Sequence, residues 1–378
     1  MHLTLHLTDE CNLRCKYCYV HKSPRKMSLE TAFTAVDMAM KSNDPTGLVF
    51  FGGEPLLERD LIYKIVEYSR KLAAETKHKF YYKITTNGIL LDEEFLEFSQ
   101  DCGMVVGFSH DGLMHDDCRV FADGSGSFDL LNEKIPLLLQ YQPYTVAMTT
   151  INPETVNRFA ESIVWLFNKG FRYLVSSPNY SVNAKWNEAS LKELKRQYKI
   201  LANKYIDWTL AGEKFYLGAF EMKILSHLRG EKYCSDRCQL GKKQISVAPD
   251  GKLYPCVQFI DNNEFLMGDV KSGVDATLRA KIEEKGSKTP STCEKCAVRT
   301  RCNYTCGCMN KQSTGFIDQV SPMQCVHEQM LLKIVDEVAE KLYKKRDALF
   351  IQKHYNEFYP ILSLVEDKIK LINNVQRG

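Results

Sequence analysis

The sequence predicts an α/β protein: a partial (β/α)6 TIM barrel, then a cysteine-rich C-terminal domain and C-terminal helices. Three observations carry this. From residue 1 to about 210, short β-branched or aromatic runs alternate with longer stretches whose apolar residues recur three and four apart, the pattern of β/α units around a parallel sheet. Six such units suit a partial barrel rather than a closed eightfold one. Most of the fourteen cysteines fall into two tight groups, and the second follows a quiet middle. At 378 residues the chain can bury a large core and a smaller one, and the expected division is 1–215, 216–330 and 331–378.

The elements follow in order. The apolar alternation Leu3, Leu5, Leu7 gives a first strand over 2–7, and further strands are expected at 47–52, 80–86, 104–109, 144–150 and 171–176. Helices are expected near 29–41, 58–76, 92–101, 128–140, 155–169 and 187–210. Past the last cysteine, amphipathic helices run over 323–347 and through 351–372, the latter with Ile361, Leu364, Val365, Ile369 and Ile372 on its apolar face. They read as a helical cap over the cysteine-rich domain, ahead of a peptide-binding role.

Composition removes several classes. Hydrophobic residues make up 44%, and 50 Lys and Arg face 47 Asp and Glu for a net charge of +3, with no basic arm for nucleic acid. No signal peptide and no membrane span is visible, so the expected location is cytoplasmic. In a reducing compartment fourteen cysteines point to metal or redox chemistry rather than a disulfide scaffold.

Cys11, Cys15 and Cys18 stand as Cys-x3-Cys-x2-Cys directly after the first strand. Three thiolates hold three corners of a cubane and leave one iron open, which is how a catalytic metal site differs from a structural one. Strand two ends in Gly52-Gly53-Glu54-Pro55, where paired glycines let the backbone turn sharply and approach a ligand. Thr85-Thr86-Asn87-Gly88 and Ser109-His110-Asp111-Gly112 end strands three and four, and taken alone both are turns. In such barrels the site lies on loops after the C-terminal ends of the strands. Together these motifs resemble the radical S-adenosylmethionine (SAM) enzymes. The resemblance implies a 4Fe-4S cluster on Cys11, Cys15 and Cys18 whose open iron takes the amino and carboxylate groups of SAM. It also implies that Gly52, Gly53 and Glu54 receive the SAM amino group, that Ser109 and Arg119 contact its carboxylate or ribose, and that Tyr17 lies beside the adenine. Asp111 and Asn87 keep the turn reading.

The second group runs Cys238-x12-Gly251-x4-Cys256, then Cys293-x2-Cys296-x5-Cys302-x3-Cys306, then Cys325, with Cys234 ahead of it. This resembles the seven-cysteine SPASM domain. The resemblance implies two auxiliary 4Fe-4S clusters, one on Cys234, Cys238, Cys256 and Cys306 and one on Cys293, Cys296, Cys302 and Cys325, three clusters in all. Zinc is the alternative metal for Cys-x2-Cys pairs. Of the remainder, Cys102 reads as a small hydrophobe beneath the strand-four turn, Cys118 as a loop residue facing the site beside Arg119, and Cys308 as a substitute for Cys306.

In the resembled mechanism a flavodoxin- or ferredoxin-type donor reduces the first cluster, SAM is cleaved to methionine and a 5'-deoxyadenosyl radical, and the radical removes a substrate hydrogen. Sulfatase-maturating enzymes carry an acid directly after the cysteine that follows Gly-x4. This chain has Tyr254-Pro255-Cys256-Val257-Gln258-Phe259, and valine accepts no proton, although Asp261 is near in sequence. Pro-Cys-x-Gln-Phe is closer to maturases of cysteine-rich ribosomal peptides. The resulting reading is a peptide maturase acting on a ribosomal precursor peptide rich in cysteine and making an intramolecular crosslink, a thioether ahead of a carbon–carbon bond or epimerisation. The alternatives are a sulfatase-maturating, formylglycine-generating enzyme and a non-catalytic multi-cluster electron carrier. Because Cys11 leaves no room for a leader-binding domain ahead of the barrel, a leader is expected on a separate protein, an edge strand or the C-terminal helices.

Overall fold

The six expected strands form in a computed structural model that describes residues 2–41, 44–230 and 240–375. They are β1 (His2–His6), β2 (Thr46–Phe51), β3 (Phe80–Thr86), β4 (Val105–Ser109), β5 (Val146–Ile151) and β6 (Tyr173–Pro178). Each lies parallel to the next, in chain order. Leu3 and Leu5 of β1, Leu48 and Phe50 of β2 and Val106 and Phe108 of β4 are buried, as expected for strands covered by crossover helices.

The helices between them are α1 (Leu29–Met40), α2 (Arg59–Thr76), α3 (Glu93–Asp101), the one-turn α4 (His115–Cys118), α5 (Phe128–Tyr141), α6 (Phe159–Asn168) and α7 (Glu188–Leu210). Their starts are set by capping side chains: Ser28 accepts from Thr31 N at 3.0 Å and Asp92 from Phe95 N at 3.0 Å, while Asn187 and Ser190 form a reciprocal box. The expected helices 58–76 and 155–169 each open with a 3-10 turn, Pro55–Glu58 and Val156–Arg158, before the α-helix begins.

The sheet is larger than the sequence suggested. A two-residue β7 (Tyr216–Leu217) pairs with β6 and leads into α8 (Gly218–Arg229), while β8 (Gln244–Val247) pairs parallel with the other side of β1. Antiparallel β9 (Lys252–Tyr254), β10 (Gly268–Asp269) and β11 (Gly273–Val274) extend that edge, giving one 11-stranded sheet in the order β11-β10-β9-β8-β1-β2-β3-β4-β5-β6-β7. Strands of two to four residues are too short to show a period.

Beyond the sheet come α9 (Ala276–Ser287), α10 (Gly307–Thr314), α11 (Pro322–Lys344), α12 (Ala348–Tyr355) and α13 (Tyr359–Val375). The single helix expected over 351–372 is broken between α12 and α13. Pro360 has no N–H for the carbonyl of residue 356, and Asn356 turns out of the helix at φ −96°, ψ 112° while its side chain accepts from Phe358 N at 2.9 Å. α11 does more than cap the cysteine-rich segment, because it lies against α7 and α8 of the barrel side. His327 receives or gives hydrogen bonds at both ring nitrogens, to Tyr180 Oη at 2.6 Å and Tyr198 Oη at 2.9 Å. On the same helix, buried Glu328 pairs with Lys223 of α8 and accepts from Asn303 N at 3.2 Å. The helix therefore joins the barrel to the cysteine-rich segment.

Candidate functional site

Strand β1 ends at His6; the N–H of Leu7, the next residue, donates to Phe51 O at 2.9 Å, and the chain then enters the Cys11 loop. Cys11 Sγ accepts from Leu13 N at 3.4 Å, Arg14 Nη1 donates to Cys11 O at 2.5 Å, and Cys18 N donates to Cys15 O at 3.0 Å. The loop rests on the end of α4 and the segment after it through Lys16 N to Cys118 O at 2.9 Å and Arg14 N to Val120 O at 2.7 Å. Backbone bonds thus fix three thiols at the C-terminal end of the sheet.

The glycines after β2 serve this loop. A Cβ on Gly53 would lie 1.9 Å from Glu10 O, and one on Gly52, at φ +138°, would lie 2.4 Å from Thr8 O. That approach lets Gly53 N donate to Thr8 O at 2.7 Å and Glu54 N to Glu10 O at 2.8 Å. Glu54 is buried, and its carboxylate accepts from Leu56 N at 3.0 Å, Thr86 Oγ1 at 2.7 Å and Asn87 N at 2.8 Å. Burial still holds its pKa above the usual carboxylate range.

After β4, Asp111 is a hub. Its carboxylate accepts from Arg119 Nε at 2.9 Å, Thr150 N at 2.8 Å and the Tyr17 hydroxyl, and the Arg119 guanidinium carbon sits 5.3 Å from the centre of the Tyr17 ring. Burial would lower the Arg119 pKa, but Asp111 outweighs it and the guanidinium stays charged. Asp111, which reads as a turn residue, therefore orients two of the candidates.

A cavity of about 330 Å³ lies at this end of the sheet, lined by Cys11, Cys15, Cys18, Tyr17, Gly52, Gly53, Glu54, Ser109 and Arg119. Every N-terminal candidate is brought to one space. Burial lifts the Cys11 thiol and pushes Cys15 up to about 11, with Arg119 opposing the latter, so a metal bound there displaces their protons. Among the described residues no three His, Cys, Asp or Glu side chains converge on one ion; the three thiols instead border a shared space. Three sulfur donors, an adjoining void and a lining carboxylate already engaged elsewhere fit a cubane held at three corners.

Cys234 and Cys238 lie outside the described residues. The other cysteines fall into two sets. Cys306 and Cys308 have their sulfurs 3.4 Å apart, and Cys308 hydrogen-bonds Cys256, whose pKa it lowers. Cys325 is close enough to Cys293 and Cys296, and Cys302 to Cys325, for their charges to interact. Cys308 thus stands beside both Cys256 and Cys306. Cys118 does not face the cavity: it is buried and accepts from Asn152 Nδ2 at 3.4 Å. Cys102 packs against the core at the end of α3.

Asp261 is also outside the lining. It is held by Arg25, whose Nη1 and Nη2 donate to it at 2.9 and 2.6 Å while Nε donates to Asp9 at 2.8 Å. This ion pair takes Asp261 away from the base position that its sequence neighbourhood suggested. Residues that sequence reasoning missed include Asn87, whose Nδ2 donates to Asn12 Oδ1 at 2.7 Å and lies 3.7 Å from Cys11 Sγ. It directly follows β3, and Ser109 ends β4, so position at the strand ends carried the signal that residue type hid. Gln258, Met309 and Gln312 reach the cavity from the cysteine-rich segment, and nothing local in the sequence marks them.

Residues 5–166 match the radical SAM superfamily. A cysteine-type anaerobic sulfatase-maturating enzyme of Clostridium novyi (strain NT) is 27% identical over 293 residues, 70% of this chain and 75% of that protein. The solved structure of native anSMEcpe with bound AdoMet superposes with a TM-score of 0.78 at 22% identity, covering 90% of this chain and 99% of the other. Streptococcus suis SuiB bound to precursor peptide SuiA gives a TM-score of 0.59 at 15% identity, over 85% of this chain and 75% of that one. At these identities the structural likeness is one of fold: a parallel-sheet α/β core with helices C-terminal to it.

Proposed function

We propose that this chain, which carries a radical SAM domain over residues 5–166, is a peptide maturase that installs an intramolecular crosslink, with a thioether as the bond formed. The observation that carries the reading is the lining of the cavity: three thiols together with Glu54 and Arg119, and no carboxylate other than the engaged Glu54 and no imidazole among the described lining residues. The acidic base that the sulfatase-type reading calls for is thus missing from the described lining, while the thiol proton that a thioether also releases has Lys22, Tyr17, Tyr19 and Tyr180 as the other ionisable side chains there.

On this reading Cys11, Cys15 and Cys18 hold a 4Fe-4S cluster, Gly52, Gly53 and Glu54 receive the SAM amino group, Ser109 and Arg119 take its carboxylate or ribose, and Tyr17 flanks the adenine. Bound there, cluster and SAM supply a reductively formed 5'-deoxyadenosyl radical able to take hydrogen from an unactivated carbon. Asp111 keeps the Arg119 fork and the Tyr17 ring in place, and Glu54, fixed by three donors, keeps its orientation without rearrangement. Residues 1–215 form the SAM-binding unit and 216–330 an auxiliary unit with 331–378 following. Two further clusters sit in the auxiliary unit, on Cys234, Cys238, Cys256 and Cys306 and on Cys293, Cys296, Cys302 and Cys325. A flavodoxin- or ferredoxin-type donor and a cytoplasmic setting go with this chemistry. SuiB, in its complex with a precursor peptide, supports a ribosomal peptide as the substrate class.

A sulfatase-type maturase is the second reading, favoured by the identity to the Clostridium novyi enzyme. Anaerobic protein with all clusters assembled, reduced in the presence of SAM and a cysteine-rich peptide, separates the two. The crosslinking reading expects 5'-deoxyadenosine and a peptide lighter by two hydrogens per crosslink without an aldehyde. Aldehyde on a cysteine or serine favours the second reading, and absence of the nucleoside removes both.

A further inference from the structure

Gln258 sits in the 3-10 turn Val257–Phe259, two residues after Cys256. The turn is rigidly seated: Phe259 N donates to Cys256 O at 3.0 Å, and the buried Phe259 ring packs on Phe265 with centroids 4.3 Å apart. From it the Gln258 side chain reaches the cavity, yet its Oε1 is buried and meets no donor among the described residues. A buried carbonyl oxygen left without a donor keeps its desolvation cost with nothing to offset it. At the edge of a cavity, a bound ligand can supply the missing donor.

We infer that Gln258 Oε1 accepts a backbone N–H of the substrate peptide and so fixes the extended segment that carries the reacting residue. The inference rests on the peptide-maturase reading. A carboxamide carries an acceptor and two donors in one plane, matching the one N–H and one C=O that each peptide unit presents. A cysteine S–H is a weak donor and matches a buried carbonyl less well. Being neutral, Gln258 cannot take the proton of a substrate thiol, so it acts by placement. Specificity then rests on the backbone of the substrate beside its reacting residue, and Gln258 is a positioning residue rather than a base.

The test uses the full-length protein with clusters assembled, SAM present and no reductant, so that no turnover occurs. The probe is a fluorophore-labelled synthetic peptide, acetyl-Gly-Ser-Cys-Gly-Ser-amide, with a set of versions N-methylated one amide at a time. Binding is read by anaerobic anisotropy for wild type and Gln258→Met, a substitution that keeps side-chain length and removes the acceptor. Iron content and far-UV circular dichroism verify that the variant is folded. Wild type is expected to bind one N-methylated version about tenfold more weakly than the parent, and Gln258→Met to bind both with the same weakened affinity. A variant that discriminates among the methylated probes as wild type does overturns the assignment to Gln258 and leaves the peptide reading standing, as does a wild type indifferent to methylation at every amide. A wild type that binds no probe contradicts the peptide reading itself.

Discussion

Two of the proposed SAM contacts, Arg119 and Tyr17, depend on Asp111. It pairs with Arg119, accepts from Tyr17 and is itself fixed by Thr150 N. Removing one partner of a buried charged pair costs about 3–5 kcal/mol because the other charge stays behind. Asp111→Asn is therefore expected to weaken SAM binding at least tenfold and to lower the thermal midpoint, measured by anaerobic titration calorimetry and scanning calorimetry. Unchanged SAM affinity would detach Arg119 from that role. The sequence could not show this pairing, since Asp111 and Arg119 are eight apart across a 3-10 turn and α4, a spacing no regular period links. The three thiols were legible because short-range spacing alone brings them together. His110 beside Asp111 is buried among Phe108, His115, Phe128 and Trp165, and burial, with Arg119 adding to it, lowers its pKa to about 3. Its unfolded-state value is about 6.5. The unfolded chain thus binds the extra proton first, so the His110 contribution is complete above about pH 6.5 and falls by about 1.4 kcal/mol per unit as pH drops towards 3. Urea midpoints of His110→Phe are expected to fall less than wild type between pH 7 and pH 5. An identical decline would show that other groups set the acid limb.

Among the elements, α11 carries the clearest prediction. Glu328 and Lys223 form a buried pair that ties α11 to α8, and Glu328 also holds Asn303 in the cysteine-rich segment. Glu328→Gln is expected to destabilise the protein by about 3–5 kcal/mol, read from chemical denaturation. It is also expected to reduce auxiliary iron before iron at the Cys11 loop, because Asn303 adjoins Cys302. Equal loss at both places would count against a local role for α11. The helix itself was readable from its apolar period, as were β1 to β6 and the helices between them apart from the one-turn α4. Its partners were not, because the residues that meet it, Tyr180, Tyr198 and Lys223, come from elements far away in the chain. The break after α12 was missed for a different reason: the apolar period continues across it while Pro360 removes a backbone donor.

For the whole molecule, one sheet links the Cys11 loop to the cysteine-rich segment through β1 and β8, and Arg25 bridges Asp9 to Asp261 across the same junction. The Cys11 loop and the cysteine-rich segment, legible as separate groups of sulfur in the sequence, thereby meet at one cavity, lined by Cys11, Cys15 and Cys18 from the first and by Gln258, Met309 and Gln312 from the second. That convergence was not legible, because it depends on β8 adding to the sheet edge beside β1 and on strands too short to show a pattern. In the proposed reading all of it serves a single iron left open by the Cys11, Cys15 and Cys18 loop. Electron paramagnetic resonance of the dithionite-reduced protein, with Cys234, Cys238, Cys256, Cys293, Cys296, Cys302, Cys306, Cys308 and Cys325 replaced by alanine, tests this most directly. The account expects a single reduced 4Fe-4S signal that shifts when SAM is added; a signal that does not respond to SAM would contradict it.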